Sequence, residues 1–329
     1  MLFSTSKFRT TFILIVLVLL AGCSSKSAGP ISKLSGKAAV DGPIVVVKID
    51  DTDQAHPQIG IDKADLIYIE QVEGGLVRLA ALFSTEIPDH IGPVRSARIS
   101  DIDLLAQYGK VAFFYSGAQR KMLPIIDAAN LHNLGAQKES PKLYTRDASR
   151  MAPFDMIISG PELRNRISEL DVATMQDAHW KFGDLDKKYL DSSGIKKIKS
   201  AKVMWPSANY VATWNGKSWD LLHNGKPNVT SDGVQISPAT FVIQNVVITD
   251  SEFVDKTGAV TPLSVTVGEG SGWILRDGIA IPATWNRPSP TDGTTWSDAN
   301  GEEIKFAPGQ IWVALTDKFP EFTEAPPTK

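Results

Sequence analysis

The densest run of side chains able to do chemistry is Gly92-Pro93-Val94-Arg95-Ser96-Ala97-Arg98. Arg95 and Arg98 are three apart, so a helix opening here would carry both guanidinium groups on one side. Guanidinium forks match phosphate and carboxylate, and a helix N-terminus adds unpaired N–H groups. Arg146 and Arg150 form a second basic group, and Arg78 follows the turn Glu73-Gly74-Gly75. Together Arg78, Arg95, Arg98, Arg146 and Arg150 predict an anion-binding pocket. The competing use of these residues is internal, because Asp50, Asp51, Asp53, Glu70, Glu73, Asp101 and Asp147 are available to pair with them.

The acidic run Asp50-Asp51-Thr52-Asp53 directly follows an apolar stretch. Such a run at a strand end can hold a divalent cation through oxygen ligands. Asp50 and Glu73 are the candidates for cation ligand or general acid and base, with Glu70 as a further ligand. The spaced loop of an EF-hand is absent, so a capped, solvated turn is the simpler reading. Beyond a divalent cation no cofactor is expected. No two of His56, His90, His132, His179 and His223 lie within five residues, which excludes HExxH and leaves only a metal site assembled from distant parts of the chain. Ser116 stands at a strand-to-helix turn, but GxSxG is absent because position 114 is Phe.

The single cysteine, Cys23, closes Leu20-Ala21-Gly22-Cys23, after Lys7, Arg9 and an apolar stretch over 12–20. This is the layout of a secretory signal ending at a lipidated cysteine. The apolar stretch is shorter than the roughly 20 residues a membrane span needs. The expectation is a signal over residues 1–22, a diacylglyceryl group on Cys23, and a place on the exported side of a bacterial cell membrane. Two or more acyl chains make such an anchor stable. With Cys23 acylated no thiol remains, which excludes disulfides, thiolate metal sites and a cysteine nucleophile. A net charge of −3 argues against a nucleic-acid partner. The partners expected are the membrane, through the anchor, and a cell-wall polymer or an envelope protein.

Elements must position these groups. Residues 44–49 form a continuous β-branched run that reads as a buried strand. Apolar runs over 66–72 and 76–83 flank Glu73-Gly74-Gly75 and read as a hairpin. Helices are expected over 100–108, 118–129 and 161–170, with strands over 111–115 and 156–158. From residue 201 helical periodicity stops and strands recur at short intervals: 210–213, 218–222, 241–249, 263–268, 272–275, 280–285, 304–306 and 311–315. Asn215-Gly216 marks a hairpin turn. Seven of the eight tryptophans fall in this part, and core packing is favoured over sugar stacking. The fold class is α+β. A flexible stalk over 23–41 precedes an N-terminal mixed α/β domain over 42–190; an antiparallel β-rich domain over 200–318, a small sandwich or partly open barrel, and a frayed tail over 319–329 follow.

Longer motifs carry a family resemblance. Asp50-Asp51-Thr52-Asp53-Gln54-Ala55, Ala64-Asp65-Leu66-Ile67-Tyr68, Ile91 through Arg98, Thr284-Trp285-Asn286-Arg287 and Pro308-Gly309-Gln310-Ile311-Trp312-Val313 resemble the YerB-like family of bacterial lipoproteins. That family is catalogued as a domain of unknown function with N- and C-terminal parts. The resemblance implies an exported, lipid-anchored protein and supplies no catalytic residues. The first functional reading is therefore a non-enzymatic envelope lipoprotein that binds an anionic envelope component or a partner protein. An enzyme acting on phosphorylated or lipid-linked glycans and a structural assembly factor for cell-wall enzymes are the alternatives.

Overall fold

Val45–Asp50 (β1) is buried at every position, which a strand achieves only when both faces of its sheet are covered. The computed structural model describes Met1 and residues 29–175, 177, 179–186 and 194–326. Cys23 and the signal lie outside the described residues. The first half of the chain continues with Leu66–Gln71 (β2), Val77–Phe83 (β3), His90–Ile91 (β4), Val111–Phe114 (β5), Leu131–Asn133 (β6), Tyr144–Arg146 (β7) and Met156–Ser159 (β8). Three short helices accompany them: Ser100–Ala106 (α1), Leu123–Ala128 (α2) and Gly160–Ser168 (α3). Then come Lys196–Trp205 (β9), Ala208–Trp214 (β10), Trp219–His223 (β11), Lys226–Pro227 (β12), Thr240–Asn245 (β13), Val247–Val254 (β14), Val260–Val265 (β15), Gly268–Arg276 (β16), Ile279–Arg287 (β17), Thr295–Ser297 (β18), Ile311–Thr316 (β19) and Glu321–Glu324 (β20).

One 15-stranded mixed sheet dominates, in the order β12-β11-β10-β9-β17-β16-β13-β19-β2-β3-β1-β5-β6, with β18 on β17 and β20 on β9. The two expected parts of the chain thus share a sheet: β19 from the second half lies parallel to β2 from the first, pairing Ile311 with Leu66. The change of rhythm near residue 200 divides the chain, and the sheet runs across it. In the central stretch β13, β19, β2, β1, β5 and β6 run one way, and β3 runs against them. The carboxyl ends of six strands therefore lie at one edge.

Alternation along β1 separates two cores. Val45, Val47 and Ile49 face one, with Ile67, Ile69 and Trp312. Ile44 and Val46 face the other, with Tyr68, Leu104, Leu105 and Ile126, so α1 and α2 cover that side. The β9–β11 end curls over the first core, where Tyr210 meets the Trp312 ring at 5.7 Å and Trp205 donates to the Leu315 carbonyl at 2.8 Å. Trp205, Trp219, Trp285, Trp296 and Trp312 are all buried, so these indoles serve packing.

The hairpin at Glu73-Gly74-Gly75 forms as expected, with left-handed φ at Gly74 and Gly75 of 69° and 68°. Other expectations need correction. The helix anticipated over 118–129 is a 3-10 turn at 120–122 leading into the short α2. The strand anticipated over 241–249 divides into β13, inside the main sheet, and β14, which pairs with β15 in a separate two-stranded sheet. Residues 304–306 make no strand, and Phe306 contributes a single bridge to Phe182. The second half is antiparallel except for β13 on β19. Part of the stalk is seated: Leu34 and Ser35 are buried, and Asp65 accepts from the Ser35 hydroxyl at 3.0 Å and meets Lys37 at 2.9 Å. Part of the tail is a strand as well, β20, which covers the outer side of β9.

Candidate functional site at the carboxyl edge of the sheet

Charge is buried where β1, β2 and β3 meet. Arg78 of β3 lies opposite Asp50 of β1 and Glu70 of β2, and directly opposed residues share a face. Lys48, two positions before Asp50, is on that face and fully buried. It donates to Asp101 of α1 at 2.8 Å and also to Glu70. Burial, with repulsion from Asp101, pushes the Glu70 carboxyl up to about 7 against the pull of Lys48. Its Oε2 is buried without a hydrogen-bond partner among the described residues.

The loop before α1 brings in two more arginines. Arg98 Nε and Nη2 both reach Oε2 of Glu73, at 2.8 and 2.6 Å. Oε1 of Glu73 accepts from the Thr261 hydroxyl of β15. Burial raises the Glu73 carboxyl, but Arg98 and Thr261 outweigh it and hold the group below its ordinary range. Arg95 Nε stands 2.5 Å from Asp50 Oδ2, a charge contact without hydrogen-bond alignment. Arg78 has no carboxylate within ion-pair reach among the described residues, and donates to the Ser96 carbonyl at 2.9 Å. Burial, then Arg98 and Arg95, push its guanidinium down to about 9, against Asp50 and Glu73. Thus Arg78, Arg95 and Arg98 gather with Asp50 and Glu73, and both carboxylates are already engaged.

Beside this core lies a groove of about 660 Å³ between the loop after β5 and the β14–β15 hairpin. Arg98, Arg120, Lys121 and Lys256 line it, against Glu252 and Asp255. The structure does not bring Arg146 and Arg150 there. Arg146 pairs with Asp155 at 2.6 Å, and Arg150 pairs with Asp147 at 3.2 Å and donates to the Ala55 carbonyl at 3.0 Å. Those two line a different groove, of about 800 Å³, shared with Asp62, Glu86, Asp89 and Asp147. The expected five-arginine pocket does not form: Arg98 lines one groove and Arg146 and Arg150 the other, because Tyr144–Arg146 belongs to the small β4-β8-β7 sheet and not to the main one, and Arg78 and Arg95 line neither.

A second cluster forms one residue beyond Asp50. Asp51 is buried and accepts from the Tyr210 hydroxyl at 2.8 and 2.9 Å and from Gln58 Nε2 at 2.9 Å. His56 Nε2 is 3.0 Å from Asp51 Oδ1, and His223 Nε2 is 3.7 Å from Asp51 Oδ2. Burial holds the His223 imidazole below its ordinary range, against the attraction of Asp51. One ligand atom from each of Asp51, His56 and His223 fits within 4.8 Å of the others. The sequence contained the acidic run but not this set, since Tyr210 and Asp51 are 159 positions apart. Alternation along β10 and β11 could have indicated which side chains face inward, but not what they face.

The sequence matches a protein of unknown function (DUF3048) N-terminal domain over residues 32–173 and the corresponding C-terminal domain over 199–313. The "Putative lipoprotein YerB" of Bacillus subtilis (strain 168) is 21% identical over 317 residues, spanning 91% of this chain and 92% of that protein. The crystal structure of YerB protein from Bacillus subtilis superposes with a TM-score of 0.76 at 15% identity, covering 90% of this chain and 100% of that one. The fold is shared.

Proposed function

The chain belongs to the DUF3048 family of unknown function, with both its N- and C-terminal domains, and from that premise we propose a lipid-anchored envelope protein that binds an anionic polymer in the groove beside Arg98. The anchor is read from Leu20-Ala21-Gly22-Cys23 and from the name of the Bacillus relative, a lipoprotein. Binding is read from one observation above the rest: Arg78 is held to the carbonyl of Ser96, a residue lining the groove, has no carboxylate within ion-pair reach among the described residues, and has Arg98 and Arg95 pressing on it. An anion in the groove relieves that repulsion. Arg120, Lys121 and Lys256 are exposed at the rim and supply the first contacts. The engagement of Asp50 by Arg95 and of Glu73 by Arg98 favours binding over acid–base catalysis.

The test uses a soluble chain starting at residue 29 and two probes, inorganic phosphate and a poly(glycerol phosphate). The polymer should bind at low ionic strength and weaken as salt is added, since rim contacts are screened. A ligand that binds the folded chain and not the unfolded one raises the melting temperature by mass action. Replacing Arg120, Lys121 and Lys256 together with Ala should abolish both effects while leaving the buried network intact. Equal binding by wild type and the triple variant, or none by wild type, overturns the groove. Release of the full-length protein from membranes by Cys23→Ser tests the anchor separately.

A further inference from the structure

We propose that Asp51, His56 and His223 form a binding site for a divalent transition ion of the zinc class, joining the N-terminal domain to the C-terminal one. The donor set decides the class. Two imidazoles and one carboxylate suit zinc and its first-row neighbours, whereas magnesium and calcium take oxygen. The spacing is close to that of a zinc site. Tetrahedral ligands about 2.0–2.1 Å from zinc lie roughly 3.3 Å from each other, and here His56 Nε2 stands 3.0 Å from one oxygen of Asp51 and His223 Nε2 3.7 Å from the other.

Three further observations support a ligand. First, His223 Nε2 is buried, with the residue 4% exposed, and has no hydrogen-bond partner among the described residues although a carboxylate faces it. An imidazole nitrogen in that position either carries an unsatisfied proton or offers a free lone pair, and a metal ion uses the second. Second, Asp51 is fixed in place by Tyr210, whose hydroxyl spans both carboxylate oxygens, and by Gln58, the kind of outer support that orients a ligating carboxylate. Third, a cavity of about 240 Å³ lined by Asp53, His56, His223 and Lys226 opens beside the cluster. It gives an ion an entry path and a fourth position for water or Asp53. The two imidazole rings are stacked, 4.3 Å apart and inclined by 12°, so an ion held by both Nε2 atoms requires one ring to turn. His56 is the partly exposed one, with room to do so. Bound metal would tie the end of β1 to the end of β11.

The experiment uses the same soluble chain, treated with chelator and dialysed, then titrated with Zn²⁺ and Co²⁺ alone. One equivalent should bind, Zn²⁺ should raise the melting temperature, and Co²⁺ should develop the intense visible absorption of a tetrahedral site. Mg²⁺ and Ca²⁺ should do neither. His223→Gln and His56→Ala should each abolish the cobalt band, and Tyr210→Phe should weaken zinc affinity about 10–100-fold by loosening Asp51. If His223→Gln fails to fold, the more exposed His56→Ala decides. Absence of stoichiometric binding, or binding unchanged in folded His56→Ala, overturns the site. Groove variants lacking Arg120, Lys121 and Lys256 should bind metal normally, so this site and the anion groove stand or fall separately.

Discussion

Glu70 gives the buried charge network a measurable pH signature. Its carboxyl is held at about 7 in the folded chain, against an ordinary 4.5. Between those values the unfolded chain has lost this proton and the folded chain has kept it. Stability from this group is therefore fully present below about 4.5 and falls as pH rises through about 7, where it levels off. Each tenfold difference in proton affinity is worth about 1.4 kcal/mol, so the cost of ionising Glu70 approaches about 3 kcal/mol. Glu70→Gln removes the charge and keeps the shape, while Lys48 retains Asp101 at 2.8 Å. Urea unfolding of both proteins across a pH series, extrapolated to water, isolates the effect as a difference. His223 and Glu73 also titrate in a way that depends on folding. Their imidazole and carboxyl are both lowered, so they make stability rise with pH and oppose Glu70. They are common to both proteins and cancel. Wild type should lose about 3 kcal/mol relative to Glu70→Gln between about pH 4 and 8. A difference that stays flat, or one that favours wild type as pH rises, refutes a protonated Glu70 in the network.

Three further outcomes follow from packing. Arg287 is fully buried and donates to the Thr266 hydroxyl at 3.0 Å, to the Asp292 carbonyl at 3.1 Å and to the Asp103 and Pro290 carbonyls; an ammonium cannot span that set, so Arg287→Lys should cost about 2 kcal/mol or more in urea unfolding. A Cβ at Gly272 would stand 2.4 Å from the Ile243 carbonyl and 2.9 Å from the Trp296 ring, so Gly272→Ala should destabilise by about 1–3 kcal/mol, seen as a lowered thermal midpoint. Phe322 of β20 packs edge-on against Trp273 at 4.9 Å, so Phe322→Ala should destabilise by about 1–3 kcal/mol; an unchanged midpoint would mean that the tail contributes nothing.

Local pattern carried β1, the β2–β3 hairpin and α1 from the sequence, because periodicity and glycine turns act within a few residues. It failed where the partner was distant. Leu34 sits in a Ser-, Lys- and Gly-rich stretch that reads as a stalk, yet Asp65 anchors that stretch from 30 positions away. β20 follows a proline in a short polar tail, and only the open edge of β9 makes it a strand. The division near residue 200 was visible as a change of rhythm, but nothing local could say that β19 returns to lie beside β2.

The same limit governs the sites. Residue types placed Arg78, Arg95, Arg98, Asp50 and Glu73 together because they cluster at strand ends and turns. They also suggested that Arg146 and Arg150 join them, which a separate three-stranded sheet prevents. Burial then changes what the gathered charges can do. Asp50 and Glu73 look like a cation site in sequence and are arginine partners in space. The next residue, Asp51, faces the opposite way along an extended backbone, as alternation requires, and so meets Tyr210, His56 and His223 instead. One step along the chain separates an arginine-bound carboxylate from one framed by two imidazoles. A variant at Asp50 should thus disturb the arginine core without touching metal binding, and one at Asp51 should do the reverse.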